Sequence, residues 1–166
     1  MKFIDTDGLQ ALLAVLQQRG YETIGPVQRD GAIVYERIDT VAELPAGWTD
    51  RQAPGSYRLE RRDDAALFGY AVGPHAWKRY LFPPKQTLFS VQREDDGTLA
   101  FIPAPIDAPK RAFIGVRACE LAAIGVQDRV FAGGEHVDAA YAARREALLL
   151  VAVNCAVAAD TCFCAA

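Results

Sequence analysis

Cysteine is absent from the first 118 residues of this 166-residue chain, histidine occurs only twice, and no apolar run is long. Each shortage excludes something. His75 and His136 have no second histidine or acid at a ligand spacing, so neither is assigned a catalytic role. No stretch approaches the roughly 18 apolar residues that would span a bilayer, so no membrane span is expected. The opening Met1 to Asp7 lacks the apolar core of a secretory signal, which gives a cytoplasmic expectation. No G-x-G-x-x-G follows an apolar strand, so a nicotinamide or flavin site of that kind is unsupported. Basic residues are not concentrated either: Arg58, Arg61 and Arg62 are followed at once by Asp63 and Asp64, and the net charge is -3. A nucleic-acid surface is therefore not expected.

What is present suits a globular domain. Apolar residues make up 51% and charged residues 23%, and a chain of this length buries roughly 70% of its unfolded surface. The leucines at 9, 12, 13 and 16 form one helical stripe, with Asp7 as expected cap and Gly20 as stop. Alternating runs from Glu22 to Val27 and from Ala32 to Glu36 flank Asp30-Gly31, which reads as a hairpin, and Pro26 marks its first strand as an edge strand. Val41 to Ser56 reads mainly as loop, and Tyr57 to Arg61 as strand. Trp77, Tyr80 and Leu81 fit one face of a short helix ended by Pro83-Pro84; their spacing favours core over a docking surface. A second hairpin is expected from Leu88 to Ile102 about Asp95-Asp96-Gly97.

Beyond Pro109 the pattern changes to strand (Ala112 to Val116), helix (from Cys119 to Phe131), a second helix capped by Asp138, and strand (Leu148 to Val153). The fold class expected is α/β of mixed α+β character. An N-terminal helix and antiparallel hairpins precede a βαβ unit, which should be parallel and right-handed. Residues 1–166 are expected to form a single domain, divisible into a hairpin-rich 1–105 and a cysteine-bearing 110–166.

All four cysteines fall in that last part. Cys119 and Cys155 each follow an apolar strand, so in a parallel pair both would lie on the carboxyl edge, where open α/β sheets bind ligands. Cys162 and Cys164 can fold back to it. Cys119 also starts a helix, and Arg117 lies two residues before it, both of which should favour the thiolate. Four thiolates serve an iron-sulfur cluster or a structural zinc equally. The spacing, one distant cysteine plus C-x6-C-x-C, is neither a pair of zinc knuckles nor the C-x2-C-x2-C run of bacterial ferredoxins, and free, disulfide-bonded or catalytic thiols stay open beside the two metals.

Several blocks then combine in order: Gly73-Pro74, Trp77-Lys78, Leu81-Phe82-Pro83-Pro84, Gly115-Val116-Arg117-Ala118-Cys119-Glu120, Ala123-Ile124, Tyr141 with Arg144-Arg145-Glu146, Asn154-Cys155 and Cys162-Phe163-Cys164. Over most of positions 70 to 166 the chain resembles the N-terminal region of the beta subunit of cytoplasmic nickel-iron hydrogenases (sulfhydrogenases), and the A subunit of anaerobic sulfite reductase is similar. The resemblance implies an electron-transfer subunit that relays electrons between a flavin- and nicotinamide-binding subunit and a hydrogenase or reductase catalytic subunit. It implies Cys119, Cys155, Cys162 and Cys164 as ligands of one [4Fe-4S] cluster, with Arg117 placed to tune it. Zinc in a scaffold for subunit assembly is the alternative. The chain departs from the family in having Arg117-Ala118-Cys119-Glu120 for the usual Arg-Pro-Cys-Asp. Family members also continue into a ferredoxin-like domain with C-x2-C-x2-C-x3-C runs, so that domain is expected to be missing after Ala166.

Overall fold

The structure, a computed structural model, describes residues 4–160 and 162. In chain order its elements are α1 (Thr6–Gln18), β1 (Glu22–Arg29), β2 (Ala32–Arg37), a 3-10 turn (Val41–Glu43), β3 (Trp48–Ala53), β4 (Ser56–Arg61) and α2 (Lys78–Leu81). There follow β5 (Phe89–Arg93), β6 (Leu99–Pro103), β7 (Arg111–Val116), α3 (Ala118–Phe131), α4 (Ala139–Glu146) and β8 (Leu148–Ala152). The protein is a mixed α/β fold with antiparallel hairpins and a mixed sheet in the order β2-β1-β7-β8.

The leucine stripe forms α1 as expected, but its cap is Asp5, whose carboxylate accepts from Gly8 N–H at 2.8 Å. Asp7 lies inside the first turn. The β1–β2 hairpin turns on Asp30 and Gly31, with φ of 50° and 76°, the double positive φ that a two-residue turn needs. β1 is not an edge strand, contrary to the inference from Pro26. It pairs parallel with β7, but only from Glu22 to Ile24, two residues short of the proline that cannot donate to a ladder. The stretch read as loop contains a strand, β3, which pairs antiparallel with the expected strand, β4, in a hairpin turning at Gly55 with φ 72°. Its strands are mostly polar and are held by specific contacts: Arg61 sits 3.9 Å over the Trp48 ring, and Asp50 accepts from Ala71 N–H at 2.6 Å.

Apolar residues of β7 alternate between two faces. Ala112 and Ile114 join Leu13, Leu16, Ile38, Val41 and Leu44 on the α1 side. Phe113 joins Ile24, Tyr35, Trp77, Leu81, Ile124 and Tyr141 on the other. Trp77 lies between Tyr35 and Phe113, with ring centroids at 3.8 and 4.5 Å, so the expectation that the middle aromatics fill core holds for it. The alternation breaks at Gly115, where Ile114 pairs with Val151 but Val116 already pairs with Ala152. Two β7 residues therefore span one step of β8, a β-bulge. Its consequence is that Val116 packs on the same side as Phe113. Gly115 has φ of 89°, and a Cβ there would lie 2.6 Å from the Phe68 ring, so the bulge requires glycine.

The hairpin expected about Gly97 also forms, as β5–β6, but it belongs to neither core. Every residue of β5 is exposed, as are all of β6 but Ala100, and the pair forms its own two-stranded sheet.

Candidate metal centre

β7 and β8 are adjacent and parallel, as the βαβ reading required, and Val153 N–H continues the ladder to the Val116 carbonyl at 2.9 Å. Cys119 and Cys155 stand at equivalent places, each three residues beyond its strand. The bulge at Gly115 and the extended Arg117 (φ -91°, ψ 164°) turn the chain from β7 into α3, and Cys119 falls in the helix's first turn. Cys119, Cys155 and Cys162 are exposed and free of disulfides. The thiol of Cys155 lies 3.1 Å from the Val157 carbonyl, and Cys162 Sγ accepts from Ala159 N–H at 3.2 Å. Both contacts are local, spanning two and three residues of the segment after β8.

The electrostatics of Cys119 differ from expectation. Its thiol is pushed up from the ordinary value, first by partial burial, then by the Glu120 carboxylate and, more weakly, by Cys155, against the pull of backbone N–H groups at the helix start. Arg117 does not offset this, because its guanidinium points into the protein. Nη2 donates to the Tyr70 carbonyl at 2.5 Å and more weakly to that of Phe68, and the group lies 4.4 Å over the Tyr70 ring. The residue is 1% exposed.

Glu120, also buried, is the residue that the cysteine pattern concealed. One carboxylate oxygen accepts from Arg117 N–H at 2.9 Å and the other from the Tyr35 hydroxyl. The Arg-x-x-Glu spacing is half of a capping box and could have announced the first bond. Nothing in the sequence announces Tyr35, 85 positions away. Burial and then the Glu120 charge hold the Tyr35 phenol protonated, well above its ordinary range. A cavity of about 220 Å³ opens beside Cys119 and Glu120, walled by Trp77, Lys78, Ile124 and Gln127. A larger apolar cleft, about 410 Å³, lies by α1 and the Leu67–Phe68 loop and includes no cysteine.

Among the described residues no group of three or more cysteine, histidine or acidic side chains is close enough to hold a metal ion. The structure sets Cys119 and Cys155 at equivalent places beyond β7 and β8, but among the described residues Cys162 does not complete a metal-holding group with them; Cys164 lies outside the described residues. Among the described residues no helix is long and apolar enough to cross a membrane. Fold and site together define a mixed α/β domain with free thiols beyond two parallel strands. Comparison with protein-family models, with curated proteins and with solved structures finds no significant match.

Proposed function

We propose that this chain is the N-terminal domain of an iron-sulfur electron-transfer subunit in a redox complex of the hydrogenase or sulfite-reductase kind. The observation that carries the reading is the equivalent placement of Cys119 and Cys155 beyond adjacent parallel strands, both thiols exposed and free of disulfides. Thiolates are the natural ligands of iron, and exposure at the end of a sheet suits a centre that must exchange electrons with other proteins. Cys119 and Cys155 would supply two ligands, and Cys162 and Cys164 the other two, as the sequence resemblance implies. A [4Fe-4S] cluster held there would supply one-electron transfer. The chain relays electrons between a flavin- and nicotinamide-binding subunit and a catalytic subunit, in line with the sequence resemblance.

The chain's own residues have distinct tasks in this reading. Glu120 and Arg117 fix the first turn of α3 and hence Cys119. The raised Cys119 thiol must lose its proton as it takes metal, so loading becomes more favourable as pH rises. Reconstitution with iron and sulfide under anaerobic conditions tests the proposal. It calls for close to four iron and four sulfide per chain with a broad visible absorption. One retained zinc per chain, colourless and stable in air, would establish the scaffold alternative instead.

A further inference from the structure

Hydrogen bonding is incomplete around the cavity of about 220 Å³ beside Cys119 and Glu120. Four side chains among the described residues carry buried polar atoms with no hydrogen-bond partner, and two of the four, Trp77 and Gln127, wall this cavity. Their atoms are complementary in kind: Trp77 Nε1 can only donate, and Gln127 Oε1 can only accept. Trp77 is 2% exposed, and both faces of its indole are covered, by Tyr35 at 3.8 Å and by Phe113 at 4.5 Å. What the ring has left to present is its edge, where Nε1 lies. The larger cleft by α1 includes no such atom, which sets the two cavities apart.

Buried polar atoms without a partner mark places where water, an ion or a ligand belongs. One water could bridge Nε1 to Oε1, but each ordered water needs two to four polar partners, and the remaining walls are the apolar side chains of Val72, Ala76, Ala123 and Ile124. A dry cavity of about 150 Å³ already admits benzene, so a ring-sized apolar body fits here. Formal charge is not offered to a guest. The Lys78 ammonium lies 5.8 Å over the Phe82 ring, and the Glu120 carboxylate accepts from Arg117 N–H and the Tyr35 hydroxyl. A neutral guest is therefore favoured over an anion or a cation. Apolar walls with a few polar groups that fix orientation are the usual make-up of a small-molecule site.

We propose that this cavity binds a small neutral molecule with an apolar body and a primary carboxamide, whose carbonyl accepts from Trp77 Nε1–H and whose amide N–H donates to Gln127 Oε1. Cys119 also lines the cavity, so a guest shields its thiol. The site goes beyond the electron-transfer reading and does not rest on a cluster. The metal-free full chain serves for the test, and failure there leaves that reading standing.

Benzamide is the probe. Its binding is followed by the fluorescence of Trp77 in Trp48→Phe protein, which lacks the other tryptophan, and by the rate of cysteine alkylation. For so small a guest the expected Kd is on the order of 1 mM. Benzamide should slow alkylation of Cys119 and leave that of Cys155, which does not line the cavity, unchanged. N,N-dimethylbenzamide, which has no N–H to donate, and benzoate, which is charged, should each bind about tenfold more weakly. Gln127→Leu, with folding verified by circular dichroism, should weaken benzamide by about the same factor and abolish its advantage over the dimethyl amide. No binding at about ten times the expected Kd overturns the proposal and leaves the cavity to water alone. Equal binding of the two amides, Cys119 alkylation that benzamide does not slow, or an unchanged preference in Gln127→Leu overturns it equally.

Discussion

At the scale of single residues, the start of α3 is governed by a buried group of unlike members. Arg117, Glu120, Tyr35 and Tyr70 are all at most 7% exposed. Buried charges persist when neighbours supply hydrogen bonds, and Glu120 has two such donors. Tyr35→Phe keeps the stack on Trp77 but removes one donor from a buried carboxylate, and it should destabilise the protein by about 1–3 kcal/mol, read from urea denaturation. An unchanged midpoint would mean that the Tyr35–Glu120 bond contributes nothing. Cys119 gives a second test. Because its thiol is raised in the folded protein, the folded state holds that proton more tightly than the unfolded chain does. Its contribution to stability is therefore full below the ordinary thiol value and declines as pH rises through it. Alkylation of Cys119, followed by peptide mass spectrometry, should rise to half its plateau above the roughly 8.5 of a free thiol. Glu120→Gln should bring that midpoint down, since the carboxylate is the second cause of the shift. A wild-type midpoint below that of a free thiol would contradict the assignment.

At the scale of elements, the Gly115 bulge decides how β7 delivers the chain to the site. Ala at this position meets a positive φ and the Phe68 ring together. The expected loss is about 2–4 kcal/mol, from backbone strain and overpacking of similar size. Gly125, in α3, is the matched control: a Cβ there meets nothing within 4 Å, and Gly125→Ala should stabilise the helix by roughly 0.5–1 kcal/mol. Thermal unfolding of the two variants should shift in opposite directions. The contrast between these glycines also marks how far the sequence could be read. Periodicity disclosed α1, both Gly-centred hairpins, the β7–β8 pair and the core aromatics, because apolar spacing is a local signal. It could not disclose the bulge, since the strain at Gly115 is set by Phe68, a residue 47 positions earlier. Pro26 misled for a similar reason. Edge character depends on where the neighbouring strand stops, and β7 pairing stops at Ile24. Strand β4 was legible in its alternation, but its partner β3 was hidden because it is held by Asp50 and Trp48 contacts instead of an apolar stripe.

At the scale of the whole molecule, one sheet joins the two parts of the chain. β1 pairs with β7 and so links the N-terminal hairpin directly to the cysteine-bearing strands. Arg144 adds a second tie: its guanidinium donates to the Asp107 carbonyl at 2.9 Å and to Gln86 Oε1 at 3.0 Å, pinning α4 to the segments either side of the β5–β6 hairpin. Arg145 binds Asp128 of α3 and the Tyr141 hydroxyl binds the same carboxylate, so both crossover helices are held to one another. Several residues of the blocks that carried the family resemblance, Trp77, Arg117, Glu120, Tyr141 and Arg144 among them, thus hold the scaffold together. In the proposed function their task is to keep Cys119 and Cys155 in place for an electron centre. Electron paramagnetic resonance of the anaerobically reconstituted, dithionite-reduced protein tests that claim most directly. The account calls for a low-temperature signal of a reduced [4Fe-4S] centre in the wild type, at close to one spin per chain, and for its loss or marked weakening in Cys119→Ser. A silent spectrum in reconstituted wild-type protein with bound zinc, or a full signal in Cys119→Ser, would contradict it.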